Sequence, residues 1–151
     1  MTPREALRQR VFGARRLRYI PDPEGEDFIT ALASDRWETA NETEARGGGD
    51  CDAFSVWAVV RAYEDLLMTT APDQPLGEWA LVAGEVLQRK QWTGHMWVEL
   101  KDGETTLWAD PTWGWLPDAP VALGYAGNRR PLMRYVYDGI VFSRAEAYVL
   151  P

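Results

Sequence analysis

Among its 151 residues this chain has one cysteine and one histidine. With Cys51 as the single thiol, no intramolecular disulfide can form. A zinc centre built on Cys51 and His95 would need two carboxylates besides, and no spacing supplies them. No apolar run approaches the roughly 20 residues that span a bilayer, so no membrane span is expected. An Arg-rich amphipathic stretch stands at the N-terminus in place of a signal-peptide core, and the expected location is cytoplasmic. Basic residues are outnumbered, sixteen against twenty-three acidic, for a net charge of −7. That excludes nucleic acid as the main partner, because phosphate binding needs a basic face. The local exception, Arg4, Arg8, Arg10, Arg15, Arg16 and Arg18, reads as the solvated side of a helix. Gly47-Gly48-Gly49 is not a phosphate loop, since no Gly-Lys-Ser/Thr follows it.

What the chain does have is aromatic mass. Eight tryptophans and 46% hydrophobic residues make a core large enough for one domain over residues 1–151. Thr2 as a cap, Pro3 in the first turn and apolar residues at helical spacing predict a helix over 3–17. A short helix is expected over 27–32. Thr39-Ala40-Asn41-Glu42 fits a capping box before a helix of one to two turns that stops at the three glycines. From Cys51 to about Met68 the chain is apolar almost all round for three turns, which predicts a buried helix. Residues 69–77 read as loop. Strands are then expected over 79–88, 95–101 and 104–110, with Asp102-Gly103 as a hairpin turn. Residues 111–131 read mostly as loop. Further strands are expected over 132–137 and 140–142, and the last residues read as a short helix or an edge strand. The fold class is α+β, helices packed on an antiparallel sheet.

Cys51 stands where the glycine turn gives way to the buried helix. A helix N-terminus favours thiolate and offers backbone N–H groups to a developing oxyanion. A two-residue turn at Asp102-Gly103 sets Lys101 opposite Glu104, and His95 then faces Asp110 directly. On that register His95, Trp97, Glu99, Thr106, Trp108 and Asp110 share one face. Met96, Val98, Leu100, Leu107 and Ala109 take the other. A thiol, an imidazole that takes its proton and a carboxylate that fixes the imidazole make a nucleophilic triad. Cys51, His95 and Asp110 are therefore the candidate catalytic residues. Trp92, Trp97 and Trp113 are candidates for substrate-binding cleft walls, with core packing as the equal alternative. Asp50, Asp52 and Glu42 could supply oxygen ligands to calcium, but helix capping explains them better. No other cofactor is called for.

These residues resemble the transglutaminase-like cysteine peptidases of bacteria, within the papain-related superfamily. The likeness runs from about Arg16 to Trp113. It includes Leu17-Arg18-Tyr19 with Asp22, then Trp37 with Thr39 and Glu42. It continues through Gly47-Gly48-Gly49-Asp50-Cys51-Asp52, Gly94-His95-Met96-Trp97-Val98 and Trp108-Ala109-Asp110-Pro111-Thr112-Trp113. The resemblance implies Cys51 as nucleophile, His95 as general base and Asp110 as the orienting acid. It implies a papain-like core with the Cys helix packed on an antiparallel sheet, and a protein or peptide substrate. Some relatives are periplasmic and calcium-dependent; here Ala53 stands where they often carry a second acidic residue. The same triad serves transglutaminases, other acyl transferases and deamidases, and an idle fold of this type can act as a binding module.

Overall fold

The computed structural model describes residues 1–21, 37–116 and 128–149. The expected helix over 27–32 and the middle of the 111–131 loop lie outside the described residues. Among the described residues three helices pack on a five-stranded antiparallel sheet. In chain order they are α1 (Pro3–Gly13), a 3-10 turn (Ala14–Arg16), β1 (Arg18–Tyr19), α2 (Ala40–Arg46), β2 (Gly48–Gly49), α3 (Cys51–Thr69), β3 (Glu78–Gln88), β4 (Gln91–Asp102), β5 (Thr105–Ala109), β6 (Arg129–Tyr137) and β7 (Phe142–Ala147). The α+β class expected from the sequence holds.

The capping signals explain where the helices start. Thr2 Oγ1 accepts from the Glu5 backbone N–H at 3.1 Å and the Glu5 carboxylate accepts from Thr2 N–H at 3.2 Å. The α-helix stops at Gly13 rather than at Leu17, and its continuation tightens into the 3-10 turn. At α2, Thr39 Oγ1 accepts from Glu42 N–H but then donates to the Glu42 carboxylate, so only one half of the expected box forms. Gly47 closes α2 in the left-handed conformation, φ +75°. Gly48 then runs against Arg18, where a Cβ would lie 1.8 Å from the Arg18 carbonyl oxygen. No side chain fits there, and the parallel pair β1–β2 depends on that closeness.

Asp50 caps α3, its carboxylate accepting from Ala53 N–H at 3.0 Å. Every residue from Cys51 to Val59 is buried. After that the buried stripe narrows to Ala62 and Leu66, and Leu67 and Met68 reach solvent. The apolar-all-round start of α3 is thus buried by α1, α2 and the sheet.

The sheet order is β5-β4-β3-β6-β7. Met96, Val98, Leu100, Leu107 and Ala109 pack with Leu81, Ala83 and the helices, as the alternation predicted. Val82, Val86, Trp97 and Trp108 form a second cluster with Trp115 and Tyr148. Several expected edges move. β4 begins at Gln91, four residues before His95. β3 and β4 form a hairpin across Arg89-Lys90, both at positive φ, without the usual Gly or Asn. The β4–β5 turn lies at Gly103-Glu104, since Asp102 pairs with Thr105. β6 starts early, at Arg129, and β7 spans Phe142–Ala147, so residues 140–142 lead into the edge strand rather than forming one.

Candidate active site

The corrected hairpin register changes how His95 and Asp110 meet. Val98 pairs with Ala109, so Asp110 lies level with Trp97 rather than with His95. The slip is by two residues, and the period of a strand is two, so the predicted faces survive it. His95 and Asp110 are diagonal neighbours, a relation that leaves Cβ atoms about 7–8 Å apart. The imidazole spans that gap: His95 Nε2 stands 2.7 Å from Asp110 Oδ2, with both residues buried. Just after β5 the chain turns tightly, Asp110 and Trp115 exchanging backbone hydrogen bonds at 2.7 and 2.9 Å. This turn fixes the carboxylate, whose Oδ1 also accepts from Thr112 N–H at 3.2 Å. It also lays Trp113 on the imidazole, centroids 4.4 Å apart and planes 10° from parallel.

Cys51 occupies the first position of α3 and is 9% exposed. Its Sγ donates to Asp52 Oδ1 at 3.4 Å and lies against the backbone of Met96, the residue after His95 in β4. Met96 packs with the helices and His95 with Trp97 on the other side of the sheet, so the thiol and the imidazole meet β4 at adjacent residues from its two faces, and no hydrogen bond joins them. Burial pushes the Cys51 thiol well up, and the carboxylates of Asp52 and Asp50 push it further. The Met96 backbone contact works the other way. In this arrangement the thiol is held neutral.

The three candidate wall residues separate. Trp113, 46% exposed, flanks His95 on its solvent side. Trp97 is fully buried and stacks behind the imidazole at 6.3 Å, so it presents no surface to a ligand. Trp92, near the start of β4, lies under the Arg130 guanidinium at 3.7 Å. Asp50 and Asp52 are engaged as cap and as thiol acceptor. Among the described residues no group of three or more His, Cys, Asp or Glu is placed to hold a metal ion. A separate groove, lined by Trp37, Val56, Val60, Tyr135, Tyr137 and Phe142, runs between α3 and the β6–β7 hairpin.

One site residue escapes sequence reading. Arg129, 6% exposed, donates from Nη2 to Asp110 Oδ2 at 3.1 Å. Its guanidinium lies over Trp115, Trp97 and Trp113, at 4.5, 5.0 and 5.7 Å from the ring centroids. Burial lowers its affinity for the proton, while Asp110 opposes that shift. Arg129 reaches this face because of a bulge. β6 pairs Met133 with Ala83 and Pro131 with Gly84, skipping Leu132. Without the skip, Arg129 and Arg134, five residues apart, would point to opposite faces. Gly84 makes the bulge fit, since a Cβ there would lie 2.1 Å from the Arg130 carbonyl oxygen.

No family model and no curated protein matches this sequence. Solved structures do. Calcium-bound LapG of Legionella pneumophila superposes with a TM-score of 0.61 at 16% identity, over 87% of this chain and 64% of that one. A second LapG structure gives 0.59 at 19% identity, over 88% and 65%. An EGTA-treated LapG gives 0.60 at 16%, over 96% and 72%. The chain thus spans about two thirds of the length of LapG, and what the two share is the fold.

Proposed function

We propose that the chain is a thiol-dependent amide hydrolase, a cysteine peptidase of the transglutaminase-like type that works through a Cys51 thioester. The buried 2.7 Å hydrogen bond between His95 and Asp110, with Cys51 at the start of α3 lying against the backbone of Met96, the residue after His95, carries this reading. With Nε2 engaged by Asp110, the imidazole has Nδ1 to offer the thiol. Turning from Asp52 to Nδ1 transfers the Sγ proton, and the sulfur attacks the substrate carbonyl carbon. Backbone N–H groups at the start of α3 receive the oxyanion, because the first N–H groups of a helix have no partner within it. Collapse of the adduct breaks the C–N bond, and the leaving amine takes the proton from the imidazolium. Water activated by the same imidazole then cleaves the thioester, releasing acid and thiol. An amine in place of water would give acyl transfer by the same residues, and a side-chain amide as substrate would give deamidation.

The test is the rate of Cys51 alkylation by iodoacetamide from pH 4 to pH 10, in wild type and in His95→Ala. Because burial and two carboxylates hold the resting thiol neutral, reactivity near pH 7 must come through the imidazole. The expected result is a loss of about tenfold or more near pH 7 in the variant, with the two rates converging at alkaline pH. Superposable profiles would sink the activated-nucleophile reading and favour a binding module. If the profiles separate, peptide and amide substrates are screened next.

A further inference from the structure

The Cys-His-Asp reading leaves the buried charge that touches Asp110 without a task. Arg129 and Asp110 are an ion pair at the heart of the site, and Asp110 Oδ2 is shared between the guanidinium and the imidazole. We propose that Arg129 is a positioning residue, whose charge keeps Asp110 a carboxylate so that the proton of neutral His95 stays on Nε2 and Nδ1 stays open to the thiol. The proposal rests on the Cys-His-Asp reading for its purpose, but its test does not.

The chemistry follows from burial. Asp110 is wholly inaccessible to solvent. A carboxylate in such a place is stable only with a positive partner and donated hydrogen bonds. Neutral histidine gives a bond but no charge, and Thr112 N–H gives another bond. Arg129 alone supplies a permanent charge to this carboxylate among the described residues. Without it Asp110 takes up a proton and becomes a donor. A protonated Asp110 gives its hydrogen to Nε2, and the ring proton moves to Nδ1. The imidazole then points an N–H where the thiol needs an acceptor.

The surroundings hold Arg129 to this place. Its guanidinium lies over three indoles, and one of these, Trp113, also stacks on His95. Base and anchor are clamped by one set of rings. The negative ring faces also favour the extra charge that appears when His95 takes the thiol proton. Among the described residues Arg129 Nη1 is buried without a hydrogen-bond partner, and the hydrogen-bonding contact of this guanidinium is with Asp110.

His95 is the only histidine, so its ring nitrogens are readable without assignment ambiguity in the 15N-labelled, untagged protein. Their chemical shifts at neutral pH distinguish the tautomers. Wild type should be protonated on Nε2. Arg129→Gln, neutral and similar in size, should move the proton to Nδ1 and slow Cys51 alkylation at least tenfold near pH 7. Arg129→Lys should restore the wild-type tautomer. A folded Gln variant with an unchanged tautomer overturns the proposal, since a merely structural arginine would leave the ring as it was. If the Gln variant does not fold, the Lys variant decides: a wild-type tautomer supports a role carried by charge, and an altered one overturns it. Should Cys51 prove unreactive while the tautomer still shifts in the Gln variant, the anchoring stands and the peptidase reading falls.

Discussion

At the scale of single residues, Cys51 and Asp52 stand in opposition. A nucleophilic thiol profits from nearby positive charge, yet its hydrogen-bond acceptor here is an acid buried to 7% exposure. Burial is the largest force holding the proton on sulfur, with Asp52 next and Asp50 after it. Asp52→Asn removes a charge that favours the neutral thiol. The alkylation profile of that variant should therefore move to lower pH, and the rate near pH 8 should rise several-fold. An unchanged profile would mean that Asp52 does not face the thiol in solution. The same comparison on a His95→Ala background separates the two influences, because the Asp52 effect acts on the thiol itself and does not pass through the imidazole.

At the scale of elements, the glycine turn is where local geometry and site meet. Gly48 pairs with Arg18 so closely that any Cβ strikes the Arg18 backbone. Gly48→Ala should part β1 from β2, shift the entry to α3 and lower stability by about 3 kcal/mol, read from urea midpoints at constant slope. Gly47→Ala makes the contrast. It meets no atom within 4 Å but forces alanine to φ +75°, at a cost of about 1 kcal/mol. A Gly48 variant no worse than the Gly47 one would show that the close approach is dispensable. These elements were legible in the sequence because their signals are local: the Thr2 and Asp50 caps, the glycine stop, and the alternation along β4 and β5. Asp102-Gly103 looked like the turn, yet the turn falls at Gly103-Glu104, because turn propensity at one glycine fits either frame. The pleat preserved the side of the sheet, and so the partnership of His95 and Asp110, through that two-residue error. Arg89-Lys90 gave no warning of a tight turn, since neither is a residue that favours positive φ. Arg129 was illegible for a different reason. Its place depends on a bulge in β6, two strands away from His95, and on three indoles gathered from two segments, none of which spacing along the chain reveals.

At the scale of the whole molecule, the face of the sheet away from α3 is held by charge as much as by apolar packing. Glu99 is wholly buried and accepts from Arg134 Nε at 2.5 Å, from Trp108 Nε1 at 2.9 Å and from the Tyr148 hydroxyl. Arg134 also reaches Glu146 and Glu78, each at 2.9 Å, so one guanidinium ties β6 to β4, β7 and β3. This network lies on the same face as His95, Asp110 and Arg129, brought there by the bulge at Leu132. Two buried arginine–carboxylate pairs, Arg134–Glu99 and Arg129–Asp110, therefore share one layer with Trp97 and Trp108, whose rings contact each other at 5.4 Å. The pairs differ in what they serve. Asp110 bonds the catalytic candidate His95, whereas the bonds of Glu99 among the described residues go to groups that hold strands and the C-terminal segment. Arg134→Met should thus act on stability alone. It leaves Glu99 buried without its charge partner, a loss of about 3–5 kcal/mol, while Glu99→Met with Arg134→Met should recover most of it by exchanging the pair for packing. The His95 tautomer and the relative alkylation rates of the folded fraction should stay as in wild type for both. A double variant as unstable as the single one would show that the network is needed for more than neutralising Glu99. A changed tautomer would show that the two pairs are coupled through the tryptophan layer, and that the sheet transmits strain to the site.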